Sequence, residues 1–222
     1  PMTAPHEPIP LTDPIDVSVA VVSGGVGAAR FLRGLQTVVA PERITAVVNT
    51  GDDTVLHGLS ISPDLDTVTY TLAGAIDPDR GWGLVGESWT AMESLARYEL
   101  VRPDGSSAAN RWFNLGDRDL ATHLYRTARR AEGASLTAIT DEVRRAWDVP
   151  ISIVPMTDDR IATTVDTTEH GEISFQDYFV RLHHEVAVTA VHFRGDARLS
   201  PVARQTLEQA DVIVIAPSNP LV

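Results

Sequence analysis

The sequence predicts an α/β fold: a Rossmann-like parallel sheet with helices on both faces and an α-helical insertion. Three observations carry this. Val17 to Val22, Ile44 to Val48 and Val212 to Ala216 are short, nearly continuous apolar runs rich in β-branched residues, as in strands covered on both faces. The first two are separated by a stretch of helical spacing, which gives a β-loop-α-β order, hence parallel strands and a right-handed crossover. From about Asp77 to Asp148 β-branched runs vanish and helical periods take over.

Taken in order, residues 1–15 read as a disordered tail, because prolines and charges leave no hydrophobic period. The strand Val17–Val22 runs into the small-residue loop Ser23 to Gly27, and Ala28–Val39 follows as a helix with Phe31, Leu32 and Leu35 on one side. After the strand Ile44–Val48, a helix is expected to start at Asp66 and run to Leu72. The insertion, 77–148, carries Trp82, Trp89, Trp112 and Trp147. Strands are expected again at Ile151–Val154, Ile161–Val165 and Val186–Phe193, then a helix over Pro201–Gln209 and the last strand, Val212–Ala216. This divides the chain into a nucleotide- and metal-binding core, 16–76 with 149–222, and the insertion between them.

Composition narrows the chemistry. With 222 residues and 43% hydrophobic content the chain can bury a substantial core. Thirty acidic against 18 basic residues give a formal charge of −12, which argues against nucleic acid or an anionic membrane as partner. No apolar stretch is long enough for a membrane span and the start does not resemble a signal peptide, so a cytoplasmic protein is expected. Zero Cys excludes a thiolate nucleophile, a disulfide frame, a thiol–metal site and an iron–sulfur cluster. Every basic side chain is Arg, so a Schiff base and a Walker-type phosphate lysine are both excluded.

Three loops follow apolar runs: Ser23-Gly24-Gly25-Val26-Gly27, Asn49-Thr50-Gly51-Asp52-Asp53 and Pro217-Ser218-Asn219-Pro220. In an open α/β sheet, ligands bind beyond the carboxyl ends of the strands, so the three loops point to a nucleotide-type ligand. The glycine loop would let backbone N–H groups and a helix N-terminus approach a diphosphate. Arg30 stands where the dinucleotide fingerprint has its last glycine, which disfavours NAD. The alternative is a tight βα turn with no ligand. Asp52 and Asp53 follow one strand and Asp64 and Asp66 the next turn; carboxylates from two loops suit Mg²⁺, with Asp52 and Asp66 as ligands. The alternative makes Asp66 a helix cap and leaves Asp53 solvated. In Trp112 to His123, Asp119 is expected to cap the helix carrying Thr122 and His123, and Arg118 to reach an anion. Aromatic and polar groups together suit a flat heterocycle, or else form the small core of the insertion. His183 and His184 read as surface residues.

Gly24-Gly25-Val26-Gly27, Val48 to Asp53, His57-Gly58, Pro63 to Thr67, Leu115 to His123, Pro155 to Asp159, Phe175-Gln176 and Pro217 to Pro220 stand in the order seen in the phospholactate transferase family, which this chain resembles from about Val17 to its end. The family includes archaeal 2-phospho-L-lactate transferase and actinobacterial phosphoenolpyruvate transferase, which serve the synthesis of the deazaflavin coenzyme F-420. The resemblance implies Mg²⁺-dependent transfer of a phosphoenolpyruvyl or 2-phospholactyl group from a guanosine diphosphate-linked donor to the ribityl hydroxyl of the deazaflavin Fo, with release of GMP. It implies that Asp52 and Asp66 are catalytic and hold the metal, Asp66 also meeting Fo. Gly24, Gly25, Val26 and Gly27 would cradle the diphosphate, with Asn49 and Thr67 in the same binding set. Asn114, Gly116, Asp117, Arg118 and His123 would border the Fo pocket, lined by the insertion, and Ser218, Asn219 and Pro220 would face the guanosine. No nucleic acid or membrane partner is expected, and a homodimer is. Family members continue past the Ser-Asn-Pro motif, so part of the guanosine pocket and later sheet strands are expected beyond Val222. The rival readings are a nucleotide-sugar-binding regulator of the related gluconeogenesis-factor family, which should lack the Ala121-Thr122-His123 motif, and an NAD-dependent dehydrogenase.

Overall fold

The structure, a computed structural model, describes residues 15–217 except 105, 107, 110 and 111. The expected tail therefore lies outside the described residues up to Pro14; Ile15, assigned to it from sequence, is bridged to Val39, its N–H donating to Val38 O at 2.8 Å.

Four strands, β1 (Val19–Ser23), β2 (Ile44–Val48), β5 (Ser152–Pro155) and β9 (Val212–Ile215), form one parallel sheet in the order β5-β2-β1-β9. In register, Val19 faces Ile44 on one side and Val212 on the other. Side chains alternate between two covered faces, as strand geometry requires. On one face Val19, Val21, Ile44, Ala46, Val48 and Ile153 meet α1 (Val26–Leu35), α2 (Pro63–Leu72) and the start of α5 (Leu136–Ala146). On the other, Val47 and Val154 meet Ala203 and Leu207 of α6 (Pro201–Gln209). The helices-on-both-faces architecture is thus the one expected. The strand order reverses between β1 and β9, which puts the switch point, and with it the ligand crevice, beside the glycine loop.

Several boundaries differ. Helix α1 begins at Val26 and ends at Leu35, and α2 begins at Pro63, three residues before Asp66, because proline at the first helical position is already set for the helix. The strands expected near 161–165 and 186–193, β6 (Ala162–Thr167) and β8 (Val188–Arg194), leave the parallel sheet. They pair antiparallel, with β7 (Gly171–Ser174), in the order β7-β6-β8. Their Thr-rich, alternating sequence suits a sheet covered on one face only. A short hairpin, β3 (Thr54–Leu56) with β4 (Leu59–Ile61), turns at His57 and Gly58, both at positive φ.

Between Asp77 and Asp148 the described chain holds α3 (Thr90–Leu95), α4 (Asp119–Ala131) and α5. Leu136 at the head of α5 joins the sheet core, whereas Leu115 and Trp112 pack with Leu56 and Ile61 in a separate small core. No helix among the described residues is long and apolar enough to cross a membrane.

Candidate functional site

Gly24 and Gly25 join β1 to α1, whose first turn has neither a side-chain cap nor an acidic residue, leaving its N–H groups available to an anion. Both glycines lie against Asp64: a Cβ on Gly25 would come 2.5 Å from Asp64 Oδ1, and one on Gly24 3.7 Å from Oδ2. A Cβ on Gly27 would stand 2.6 Å from the carbonyl oxygen of Pro217, so the chain after β9 runs directly over the glycine loop. Ser218, Asn219 and Pro220 lie outside the described residues.

The acidic side chains gather around Asn49, which follows β2. Its Nδ2 donates to Asp52 Oδ2 at 3.1 Å and to Asp64 Oδ2 at 3.0 Å, while its Oδ1 accepts from the Gly51 N–H. One amide thus holds together two carboxylates from two loops. Burial pushes Asp64 up to about 6, helped by the nearby Asp52, and pushes Asp53 up to about 7 against a hydrogen bond from Ser62. Asp52 is also raised, by burial, with hydrogen bonds from Thr163 and Asn49 opposing.

Asp66 is buried and sits in a different circuit. Both terminal nitrogens of the fully enclosed Arg126 donate to it, and Arg126 also donates to the Ser60 carbonyl oxygen on the hairpin. Burial opposes the Arg126 charge, but Asp66 outweighs it and holds the guanidinium above its usual range. Arg126 Nη1 further approaches His123 Nδ1, at 3.3 Å. Nε2 lies 3.2 Å from Asp119 Oδ2, outside hydrogen-bond geometry, while the Tyr70 hydroxyl donates to Asp119 Oδ1 at 2.6 Å. Asp119 would be raised by burial alone; His123 and Tyr70 hold it below the ordinary value, and the Tyr70 phenol is raised by its burial and by the carboxylates of Asp66 and Asp119. Ligand atoms of Asp66, Asp119 and His123 come within 4.8 Å of one another. The two ring nitrogens face different groups and Arg126 already neutralises Asp66, so this trio is a charge network.

Asp52, Asp64, Asp66, Thr67, Asn114, Asp119 and His123 line one cavity of about 390 Å³, together with Val26; the expected Gly24, Gly25, Gly27 and Asn49 are not in its lining. Its apolar side is formed by Trp82, Phe113, Phe175 and Phe179. Phe113 therefore serves both readings of the aromatic segment, core and pocket, while Trp112 packs in the small core.

Gly116, Asp117 and Arg118 are not on that wall. Asp117 accepts from the N–H groups of Thr90 and Ala91 and from the Ser88 hydroxyl, capping α3, which holds its carboxyl below the usual value. Arg118 donates its side chain to Val85 O. Asp119 does not cap α4. Glu87 does, accepting from the N–H groups of Arg118 and Asp119 at 2.8 and 3.0 Å, and its carboxylate fills the space where a Gly116 side chain would go. Nor does Asp66 cap α2, where it lies one turn in.

Sequence reasoning left Trp82, Phe175, Gln176, Phe179 and His183 without a role, and all five line the cavity. Gln176 Nε2 donates to the backbone oxygen of Asp52 at 3.2 Å, tying this segment to the acidic loop. The Phe175-Gln176 motif was the available signal. His183 and His184 are exposed, as expected, and both take φ near +50°, with His184 stacked on Phe179.

Comparison with known proteins bears on the same residues. The family model described as 2-phospho-L-lactate transferase CofD matches residues 19–222. A phosphoenolpyruvate transferase of Nocardia farcinica is 43% identical over 230 residues, covering 100% of this chain and 66% of the relative. Those of Streptomyces coelicolor and Mycobacterium tuberculosis H37Rv are 43% and 42% identical, covering 92% and 93% of this chain and 63% and 66% of theirs. The chain thus spans about two thirds of the length of the curated relatives it matches. Among solved structures, a UPF0052 family member from Bacillus halodurans superposes with a TM-score of 0.55 at 19% identity, covering 90% of this chain and 58% of that one, a likeness of fold. Matched by that family model from β1 to the chain end, this chain belongs to the 2-phospho-L-lactate transferase CofD family.

Proposed function

We propose that the cavity transfers a phosphoenolpyruvyl group, or its 2-phospholactyl counterpart, from a guanosine diphosphate-linked donor to the ribityl hydroxyl of Fo, releasing GMP in the synthesis of coenzyme F-420. The observation that carries this is the packing of Asp64 onto Gly24 and Gly25, which sets a carboxylate against the bare backbone suited to a diphosphate, while the same Asp64 lines the cavity that Trp82, Phe113, Phe175 and Phe179 also line. The names of the actinobacterial relatives favour the enolpyruvyl donor. The reading carries a cytoplasmic location and a homodimer with it.

The donor's diphosphate would rest on the N–H groups of the glycine loop, with the guanosine toward Pro217 and beyond. The ribityl hydroxyl attacks the phosphorus bearing the three-carbon group in line; the new P–O bond forms as the bond to the GMP phosphate breaks, and GMP leaves with the bridging oxygen. The hydroxyl proton passes to a carboxylate, for which Asp66 stays our choice because it faces the cavity in an orientation fixed by Arg126. Phosphoryl transfer asks mainly for positioning and charge stabilisation, which a chain without Cys or Lys can supply.

The donor set fits Mg²⁺, a hard cation that takes carboxylate, water and phosphate oxygens. Asp52 and Asp66 were the expected ligands. With Asp66 already paired to Arg126, we assign the cation to Asp52 and Asp64, which share Asn49 beside the glycine loop. When bound, it would neutralise charge on the diphosphate and acidify a nearby hydroxyl.

The test is to incubate the full-length protein with Fo, the guanylylated enolpyruvyl donor and Mg²⁺, and follow GMP and the Fo adduct chromatographically. Stoichiometric appearance of both supports the reading. Binding of a uridine nucleotide sugar with no Fo binding and no turnover would overturn it in favour of the regulator.

A further inference from the structure

Trp82 stands in the cavity's aromatic lining with 47% of its surface exposed, and the reading above gives it no contact of its own. An indole left half in water at the mouth of a cavity gains by being covered, since aromatic rings carry the largest apolar surfaces available. The loop that carries it is built to hold it there. Gly81 and Gly83 flank it at φ of +76° and +68°, a conformation that other residues rarely adopt. The Asp77 N–H donates to Gly83 O at 3.1 Å, the Gly81 N–H donates to Asp77 O at 2.9 Å, and Ile76 bridges Leu84, closing the loop at its base.

The ring is also backed from one side. The Arg80 guanidinium stands 5.2 Å from the Trp82 centroid and 5.1 Å from that of Trp89, and is itself held by Asp77 at 2.9 Å and by donation to Leu84 O at 3.0 Å. A cation centred over an aromatic face at this distance is attracted by the ring quadrupole and fixes the ring's tilt. The other aromatic walls are engaged among themselves. Phe175 and Phe179 lie stacked at 5.7 Å and 12°, Phe179 also stacks on His184, and Phe113 packs edge to face with Trp112. Among the described residues, Trp82 touches aromatics only through Trp89, at 6.5 Å and a 60° tilt, which leaves a face to offer.

We infer that Trp82 is the platform on which the planar tricyclic ring of the acceptor stacks, and so the residue that sets acceptor affinity without touching the donor. This rests on the proposed function and gives the acceptor's flat end a defined seat opposite the carboxylates. Stacking of a heteroaromatic ring on one side chain is typically lost with a fall in affinity on the order of ten- to a hundredfold when that side chain becomes Ala.

The experiment titrates Fo, followed by its own fluorescence, into the wild-type protein, Trp82→Ala and Trp82→Phe, with donor KM and thermal midpoint measured on each. Expected are a Kd for Fo weakened about tenfold or more in Trp82→Ala, KM rising for Fo but not for the donor, an unchanged midpoint, and recovery of most of the affinity in Trp82→Phe. Equal Fo affinity in Trp82→Ala and wild type overturns the inference, as does a joint loss of donor affinity and thermal midpoint, which marks a structural role. Failure of the wild-type protein itself to bind Fo overturns the proposed function instead.

Discussion

The carboxylate of Asp64 stands where a side chain on Gly25 would begin: a Cβ there would lie 2.5 Å from Oδ1. The glycine and the aspartate are 39 positions apart in sequence, and their contact joins the phosphate-type loop to the acidic one.

Gly25→Ala should therefore push Asp64 aside. Because the intruding contact is the end of a side chain, the fold can give way there. The expected result is a loss of transfer activity of tenfold or more with a change in unfolding free energy of only about 1 kcal/mol, within the range of ordinary substitutions. Parallel turnover assays and urea denaturation check it.

Asp52→Asn and Asp64→Asn should each weaken divalent binding more than Asp66→Asn does. Titration with Mn²⁺, followed by its electron paramagnetic resonance, reads this without reference to activity. An Asp66→Asn variant binding Mn²⁺ less tightly than either of the other two returns Asp66 to the metal.

Breaking the Asp66–Arg126 pair should cost stability heavily. Removing either partner alone leaves the other charge buried and uncompensated, a loss of about 3–5 kcal/mol. Arg126→Met and Asp66→Asn should each lower the urea midpoint by a corresponding amount, and the double variant should be more stable than the sum of the two losses. Asp66→Asn is thus expected to abolish transfer and to weaken the fold at once.

The acidic loop should impose a pH dependence on stability. Burial raises Asp53 to about 7 and Asp64 to about 6 from an ordinary 3.8, so between about pH 4 and 7 the folded chain binds more protons than the unfolded one. Stability from these groups is fully present below that window and is lost as pH rises through it. In EDTA, the urea midpoint should fall from pH 5 to pH 8, and Asp53→Asn should flatten the slope.

Glu87→Ala should strip the cap from α4, costing about 1 kcal/mol, and Gly116→Ala should act in the same direction by displacing Glu87. Since His123 and Asp119 ride on the first turns of that helix, both variants should also raise KM for the acceptor. Denaturation and steady-state kinetics measure the two effects.

Much of this was legible in the chain. Ile44–Val48 and Pro201–Gln209 form as read, because a five-residue run that is β-branched at all but Ala46 and a Ser-Pro start each specify their element locally. The glycine loop was legible for the same reason: close approach by a ligand or neighbour demands small residues in sequence. The hairpin β3–β4 was not, its strands being three residues each, and neither was the departure of β6 and β8 from the parallel sheet, since sheet membership depends on partners far along the chain.

The amino-acid order by itself determined the α/β class, the family and the set of side chains available to the chemistry, because apolar period, glycine spacing and residue type are local properties. Only the tertiary structure decided how those side chains are shared out. Asp66 goes to an arginine 60 positions away, Asp64 goes to the glycines, Asp117 and Glu87 exchange helix ends, and Trp82 comes to the cavity rim. A charge or cap finds its partner by distance and burial in the folded chain, and neither is written in the neighbours along the backbone.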